Sequence, residues 1–300
     1  MNKFIISTDS CIDVYKSYLN QHNVYCITMK RVLDGKEIEE HFDTAEEFEE
    51  FYESMKKGAM STTVAINPQE AKEHFEEILQ KEKTGDIIHI PLSSGLSVTC
   101  DNLEKAAAEL NKTLTGRQIY VVDSLIATHG MALLVDELIR MRDAGESTQE
   151  AVKRTEYLRD HTQAWVIMGD LMHLKRGGRI SGFKATIGTL LNVKPIITIN
   201  KQGKLCIENK MKGEYNAINY VLGKMQDLGE QVNKDFFNST VYLMRTKENK
   251  LFTNFRTALK AKYPTLNIKE SLVGPIIGTH LGCSGAFVLF EGAPKLDLKA

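Results

Sequence analysis

The stretch Asp86–Leu110 constrains the fold of this chain most. An apolar run of strand length, Ile87, Ile88, His89 and Ile90, is closed by Pro91 and Leu92. Ser93, Ser94, Gly95, Leu96 and Ser97 follow, and then Leu103, Ala107 and Leu110 recur at the i, i+4, i+7 spacing of one helix face. The pattern is a strand, a hydroxyl-rich turn and a helix N-terminus. First-turn N–H groups have no partner inside the helix, and the macrodipole adds partial positive charge there. Such a turn suits a carboxylate or phosphate. An ordinary N-cap at Ser94 or Ser97 accounts for the same residues.

The rest of the N-terminal half repeats the alternation. Phe4–Ser7 predicts a first strand, with Thr8, Asp9, Ser10, Cys11, Ile12 and Asp13 beyond its end, where open α/β sheets place ligands. Asp9 and Asp13 equally suit caps of the next helix. Val24–Met29 predicts a second strand. Thr44 and Glu47 make a capping box, and Phe48, Phe51, Tyr52 and Met55 form a helical stripe whose charges read as a solvated face. Residues 60–68 read as a polar loop carrying Ser61, Thr62 and Thr63, ahead of a helix capped by Asn67, Pro68 and Glu70. Gln118–Val122 predicts a strand ending in Asp123-Ser124, before a helix along Leu134, Leu138 and Met141 and another boxed by Ser147 and Glu150. Strands alternating with helices imply a doubly wound, mostly parallel sheet over residues 1–160.

From His161 the order changes. Strands are expected at Ala164–Met168, Pro195–Ile199, Leu205–Glu208, Thr240–Met244 and Ala286–Phe290, with Asn200-Lys201-Gln202-Gly203 as a hairpin turn. Helices are expected over Ile187–Val193, Tyr215–Leu228 and Lys250–Lys262. Gly278 and Gly282 frame His280 in what reads as a tight loop. Residues 161–300 are therefore expected to form an α+β domain with a mixed or antiparallel sheet.

Composition excludes several classes of function. Thirty-eight basic against 39 acidic residues leave no basic surplus for nucleic acid or an anionic membrane. No apolar run approaches the roughly 18 residues of a membrane span, and Phe4, Ile5 and Ile6 are too few for a signal peptide. Five widely spaced cysteines without a CxxC pair fit reduced thiols in a cytoplasm. The eight histidines form no HxxxH or HExxH pair, so no metal is expected.

The catalytic signatures fall short. Gly95-Leu96-Ser97-Val98-Thr99 matches a GxSxG elbow until its last residue. Gly177–Gly182 has the two-glycine spacing of a Walker loop, but Phe183 precedes Lys184 and no hydroxyl follows that lysine directly. Hydroxyl turns, His280, and Arg176 and Arg179 around Gly177-Gly178 suit the grip of an anionic ligand, although a solvated turn accounts for the arginines as well.

Taken together, these turns resemble the DegV family, the fatty-acid-binding subunits of bacterial fatty acid kinases. The matching pieces are Thr8–Asp13 (TDSCID), the hydroxyl loop before Asn67-Pro68, Leu92–Ser97 (LSSGLS) and Val121–Ser124 (VVDS). Asp170–Ser181 (DLMHLKRGGRIS) and Gly274–Gly282 (GPIIGTHLG) complete the order. The resemblance implies two α/β domains with an acyl chain in a tunnel between them. It implies that the carboxylate is held by Thr62, Thr63, Ser93, Ser94, Gly95, Thr279 and His280. Ile187, Leu190 and Leu191, which follow the RGGRIS turn, suit the tunnel wall, and an ordinary core accounts for them as well. Arg176, Arg179, Lys210 and Lys212 would face a separate ATP-using kinase subunit. The chain would then be no enzyme itself, and the long-chain fatty acid its only ligand, with no further cofactor. Each buried methylene contributes about 0.8 kcal/mol and a charged hydrogen bond roughly 1.5–3 kcal/mol, so affinity would come from the tail and orientation from the headgroup contacts.

The chain departs from the family pattern in three places. Val64 and Ala65 follow Thr63 where the family usually has TSQ. Met211 stands where the family often has an arginine, and the HTGPG-like ending becomes His280-Leu281-Gly282-Cys283-Ser284. Two other readings stay open: a small-ester serine hydrolase using Ser94 or Ser97 with His280, and a lipid carrier or sensor without a kinase partner, which Met211 favours.

Overall fold

The short apolar runs of the N-terminal half pair side by side. In the computed structural model, which describes residues 4–40, 43–169, 171–180, 192–247 and 249–299, these strands are β1 (Ile5–Asp9), β2 (Val24–Ile27), β3 (Lys30–Leu33), β4 (Lys36–Glu39), β5 (Ser61–Val64), β6 (Ile87–Ile90) and β7 (Ile119–Val121). One sheet has the order β2-β1-β6-β7 with every pair parallel. A second, antiparallel sheet has the order β4-β3-β5. The helices joining them are α1 (Lys16–Gln21), α3 (Pro68–Lys81), α4 (Thr99–Asn111), α5 (His129–Asp143) and α6 (Thr148–His161). Ile6, Ile87, Ile88 and Ile90 are buried because a parallel strand is covered on both faces. At α3 the expected capping box is in place. Asn67 accepts from the N–H groups of Gln69 and Glu70, Glu70 answers from Asn67 N–H, and Pro68 opens the helix.

The second half forms β8 (Thr162–Met168), β9 (Val193–Ile199), β10 (Leu205–Lys212), β11 (Thr240–Arg245), β12 (Asn267–Leu272) and β13 (Gly285–Glu291). They make one sheet in the order β10-β9-β8-β13-β11-β12, antiparallel except for β11 with β12. The predicted hairpin turn is present: Gly203 has φ 69°, and Asn200 Oδ1 accepts from the N–H groups of Gln202 and Lys204. Helices α8 (Glu214–Gly229) and α9 (Lys250–Lys262) pack Val221, Met225, Phe252 and Phe255 with Trp165, Leu243 and Phe290 of the sheet in a continuous core. Two shorter helices are α7 (Met172–Arg176) and α10 (Pro275–Leu281).

Four expectations change. Residues 61–64 are a strand, because their backbone pairs with Lys30–Leu33 whatever their side chains are. The loop expected around His280 is α10, with Pro275 at its first turn and Gly278 inside it. Of the helix expected at Ile187–Val193, residues 187–191 lie outside the described residues, while Val193 opens β9. The helix α2 (Ala45–Lys56), read as part of a 1–160 domain, packs elsewhere. The described residues of Met1–Thr44 and Ser61–Asp160 form one unit, and those of Ala45–Met60 and His161–Ala300 form the other. The stripe Phe51, Tyr52 and Met55 is buried in that second unit, with Cys283 packed against it. Two charges of the supposedly solvated face form ion pairs there, Glu49 with Arg245 at 3.0 Å and Glu53 with Lys247.

Candidate ligand site

In the first unit, strand order reverses between β1 and β6: the chain goes from β1 to one side and from β6 to the other. Ligands of open α/β sheets bind in the crevice at such a reversal, outside the carboxyl ends of the strands. Three of the sequence motifs meet there. The Asp9 carboxylate accepts from Cys11 N–H at 2.9 Å and from Leu92 N–H at 2.6 Å, tying the turn after β1 to the turn after β6. Ser93 N–H donates to Ile126 O at 3.0 Å, and Ser94 N–H to Asp123 Oδ1 at 3.1 Å, which ties in the turn after β7. Thr128 N–H closes the ring by donating to Cys11 O at 2.8 Å. Burial raises the Asp9 carboxyl to about 6 against the pull of its two backbone bonds.

Within this frame Ser93 is buried and its Oγ accepts from Gly95 N–H at 3.1 Å, while Ser94 is exposed and Gly95 half-buried. Ser97 donates to Thr99 Oγ1 at 3.0 Å, so its hydroxyl is engaged in the start of α4. Thr62 is exposed and Thr63 half-buried on β5. The chain just beyond them is fastened to α4: Ile66 N–H donates to Thr99 Oγ1 at 3.2 Å, and Asn102 Nδ2 to Ile66 O at 2.9 Å. The chain that follows Thr62 and Thr63 is therefore fastened, through Ile66, to the start of the same helix that Ser97 engages.

In the second unit, α7 and α10 interleave. A Cβ on Gly177 would overlap His280 Nδ1, and a Cβ on Gly282 would lie 2.6 Å from His173 Cδ2. Glycine at each place lets an imidazole lie directly on the opposing backbone. Burial holds His280 down to about 4, with the Arg179 and Arg176 guanidiniums adding to the effect, so the ring is neutral at pH 7. Thr279 beside it is buried. Arg176 bonds His173 Nδ1 at 2.9 Å, and Arg179 donates to Gly177 O at 2.6 Å; both arginines are exposed. Lys210 and Lys212 are exposed on β10, and Met211 between them turns inward against the core. Ile187, Leu190 and Leu191 lie outside the described residues. Among the described residues no group of three or more His, Cys, Asp or Glu is placed to hold a metal ion.

Sequence reasoning weighed Asp9 as a helix cap and missed its bond to Leu92. It also missed Asp123 as the acceptor for Ser94. The signal for both was the polar ending of each strand, TD at the end of β1 and VVDS at β7.

Comparison with known proteins bears on the same elements. The model of the DegV family, described as an uncharacterised protein family, matches residues 3–291. The chain belongs to the DegV family. A DegV domain-containing protein of Caldanaerobacter subterraneus subsp. tengcongensis is 32% identical over 292 residues, covering 97% of this chain and 99% of the relative. Among solved structures, Bacillus subtilis DegV, described as a fatty acid binding protein, superposes with a TM-score of 0.79 at 24% identity, covering 97% of this chain and 100% of the other. A stearic acid-binding protein of Eubacterium ventriosum gives 0.81 at 21% identity, with 96% and 98% covered. The DegV fold thus accounts for both units, the parallel sheet of the first and the mixed sheet of the second.

Proposed function

We propose that this chain binds a long-chain fatty acid and presents its carboxylate to a separate ATP-dependent kinase subunit. The observation that carries the reading is His280, a neutral imidazole held against Gly177 beside two guanidiniums. A neutral imidazole offers an N–H to a carboxylate without forming a buried ion pair, and the arginines favour negative charge nearby. Thr279, Thr62, Thr63, Ser93, Ser94 and the Gly95 backbone supply the other donors. The tail is assigned to Ile187, Leu190 and Leu191. The solved relatives described as binding fatty acids support the ligand class.

In this reading the chain carries no catalysis of its own. It orients the carboxylate, and the partner transfers the phosphoryl group; Arg176, Arg179, Lys210 and Lys212 are the exposed cations proposed to meet that partner. All five cysteines are free thiols, which supports a reducing, cytoplasmic setting. Among the described residues no helix is long and apolar enough to cross a membrane.

A titration of the wild type and of His280→Ala with oleate tests the proposal. Loss of one charge-assisted hydrogen bond, roughly 1.5–3 kcal/mol, weakens retention about 10- to 100-fold. The variant should show a single cooperative unfolding transition close to that of the wild type. Equal oleate affinity in a folded variant refutes the role of His280.

A further inference from the structure

The helix α2 grips α10 at three places. Before α10, the Tyr52 hydroxyl donates to Val273 O at 2.7 Å. At its middle, a Cβ on Gly278 would overlap Tyr52 Oη and lie 3.0 Å from Phe51 Cε1. After it, Cys283 Sγ donates to Tyr52 O at 3.8 Å. Tyr52 is fully buried, and the ion pairs of Glu49 with Arg245 and Glu53 with Lys247 fix its helix to the end of β11. His280 lies two residues after Gly278, where α10 ends against Gly177. So α10 is held from one side by an aromatic ring on a glycine and from the other by α7.

We propose that Tyr52 is a positioning residue for the carboxylate contact, setting the place of His280 through its own contact with Gly278. The carboxylate role of His280 on which this rests is the one proposed above. Tyr52 does not touch the ligand. It fixes α10 so that the imidazole stays on Gly177, and a bulkier residue at 278 or a lost hydroxyl at 52 releases it.

The test uses the full chain, oleate as probe, and the ring Cε1–Hε1 resonance of His280. Gly278→Ala is expected to shift that resonance and weaken oleate binding about tenfold or more, a contact conflict comparable to overpacking a core. Tyr52→Phe alone, lacking the bond to Val273, is expected to weaken binding by about threefold or more. Combining them removes the Oη that the new methyl meets, so the double variant should bind better than Gly278→Ala alone. A merely structural role for Tyr52 would lower the urea midpoint of Tyr52→Phe while leaving its oleate affinity and the His280 resonance unchanged. Unchanged affinity and resonance in folded Tyr52→Phe, or a double variant no better than Gly278→Ala, overturns the proposal. If Gly278→Ala does not fold, Tyr52→Phe decides alone. If the wild type takes up no oleate, the fatty-acid reading fails separately, and the His280 resonance still decides whether Tyr52 positions it.

Discussion

Gly177 and Gly178 are neighbours that the structure needs for opposite reasons, and their alanine variants separate binding from stability. Gly177 has φ −73° and ψ −8°, ordinary helical backbone, so alanine fits its conformation and would by itself stabilise by roughly 0.5–1 kcal/mol. The added methyl has nowhere to go: it would overlap His280 Nδ1 and lie 3.1 Å from Cε1 of the same ring. The ring must move off Gly177, which would forfeit the hydrogen bond proposed for it with a carboxylate, roughly 1.5–3 kcal/mol or about 10- to 100-fold in Kd. Gly178 is the reverse case. Its φ is +68°, and no atom lies within 4 Å of a Cβ placed there. Gly178→Ala therefore costs roughly 1–2 kcal/mol of backbone strain and leaves the imidazole where it is. Oleate titration beside urea unfolding reads both quantities for each variant. Gly177→Ala should lose affinity while staying folded, and Gly178→Ala should lose stability while keeping affinity. Wild-type affinity in Gly177→Ala, or an equal loss in both variants, would refute the placement of His280 as the headgroup contact.

Buried histidines should make stability rise with pH. Burial depresses His74 and His280 to about 4 and pushes His89 down too, whereas in the unfolded chain they titrate near 6.5. The unfolded state then takes up protons first, so their contribution is complete above about pH 6.5 and is lost as pH falls toward 4. Asp9, raised from 3.8 to about 6, works the other way, losing its contribution as pH rises through that interval. Near pH 6 to 6.5 the imidazoles act almost alone, and the urea midpoint should climb; His74→Gln should flatten part of that climb, on the order of 3 kcal/mol over its whole span. A flat midpoint between pH 5.5 and 7.5 would contradict the burial of these rings. Thr128 adopts φ 57° and ψ −143°, a region only glycine occupies freely, so Thr128→Gly should raise the unfolding free energy by roughly 1–3 kcal/mol; a fall would show that its side chain outweighs the strain.

The sequence foretold elements whose signals are local. The strand at Ile87–Ile90 and the helix through Leu103 and Ala107 were readable from run length and spacing, and the Asn67 box and the Asn200–Gly203 turn from three or four adjacent residues. What escaped depends on partners far along the chain. Ser61–Val64 is a strand because β3 pairs with it, and its own Ser-Thr-Thr reads as a turn. Asn267–Leu272 is an edge strand with an exposed, charged face, so no apolar alternation marks it. At α10, one proline and two flanking glycines disguise a helix of seven residues. The candidate site follows the same division. Its hydroxyls and His280 stand out by composition, but the bond of Asp9 to Leu92 spans 83 positions, and the seat of His280 on Gly177 spans more than a hundred. No window of sequence contains both partners. For the same reason the sequence does not say which unit buries α2: its stripe is apolar whichever core takes it.

Mass spectrometry of the organic extract of the purified protein tests the central claim most directly. A carboxylate site whose affinity comes from a buried tail retains its ligand through purification, since about 14 methylenes contribute on the order of 10 kcal/mol before ordering costs. The predicted result is a long-chain fatty acid at close to one per chain in the wild type, reduced in His280→Ala and Gly177→Ala. An empty wild-type protein that also fails to take up added oleate, or one that hydrolyses generic esters, would contradict the account.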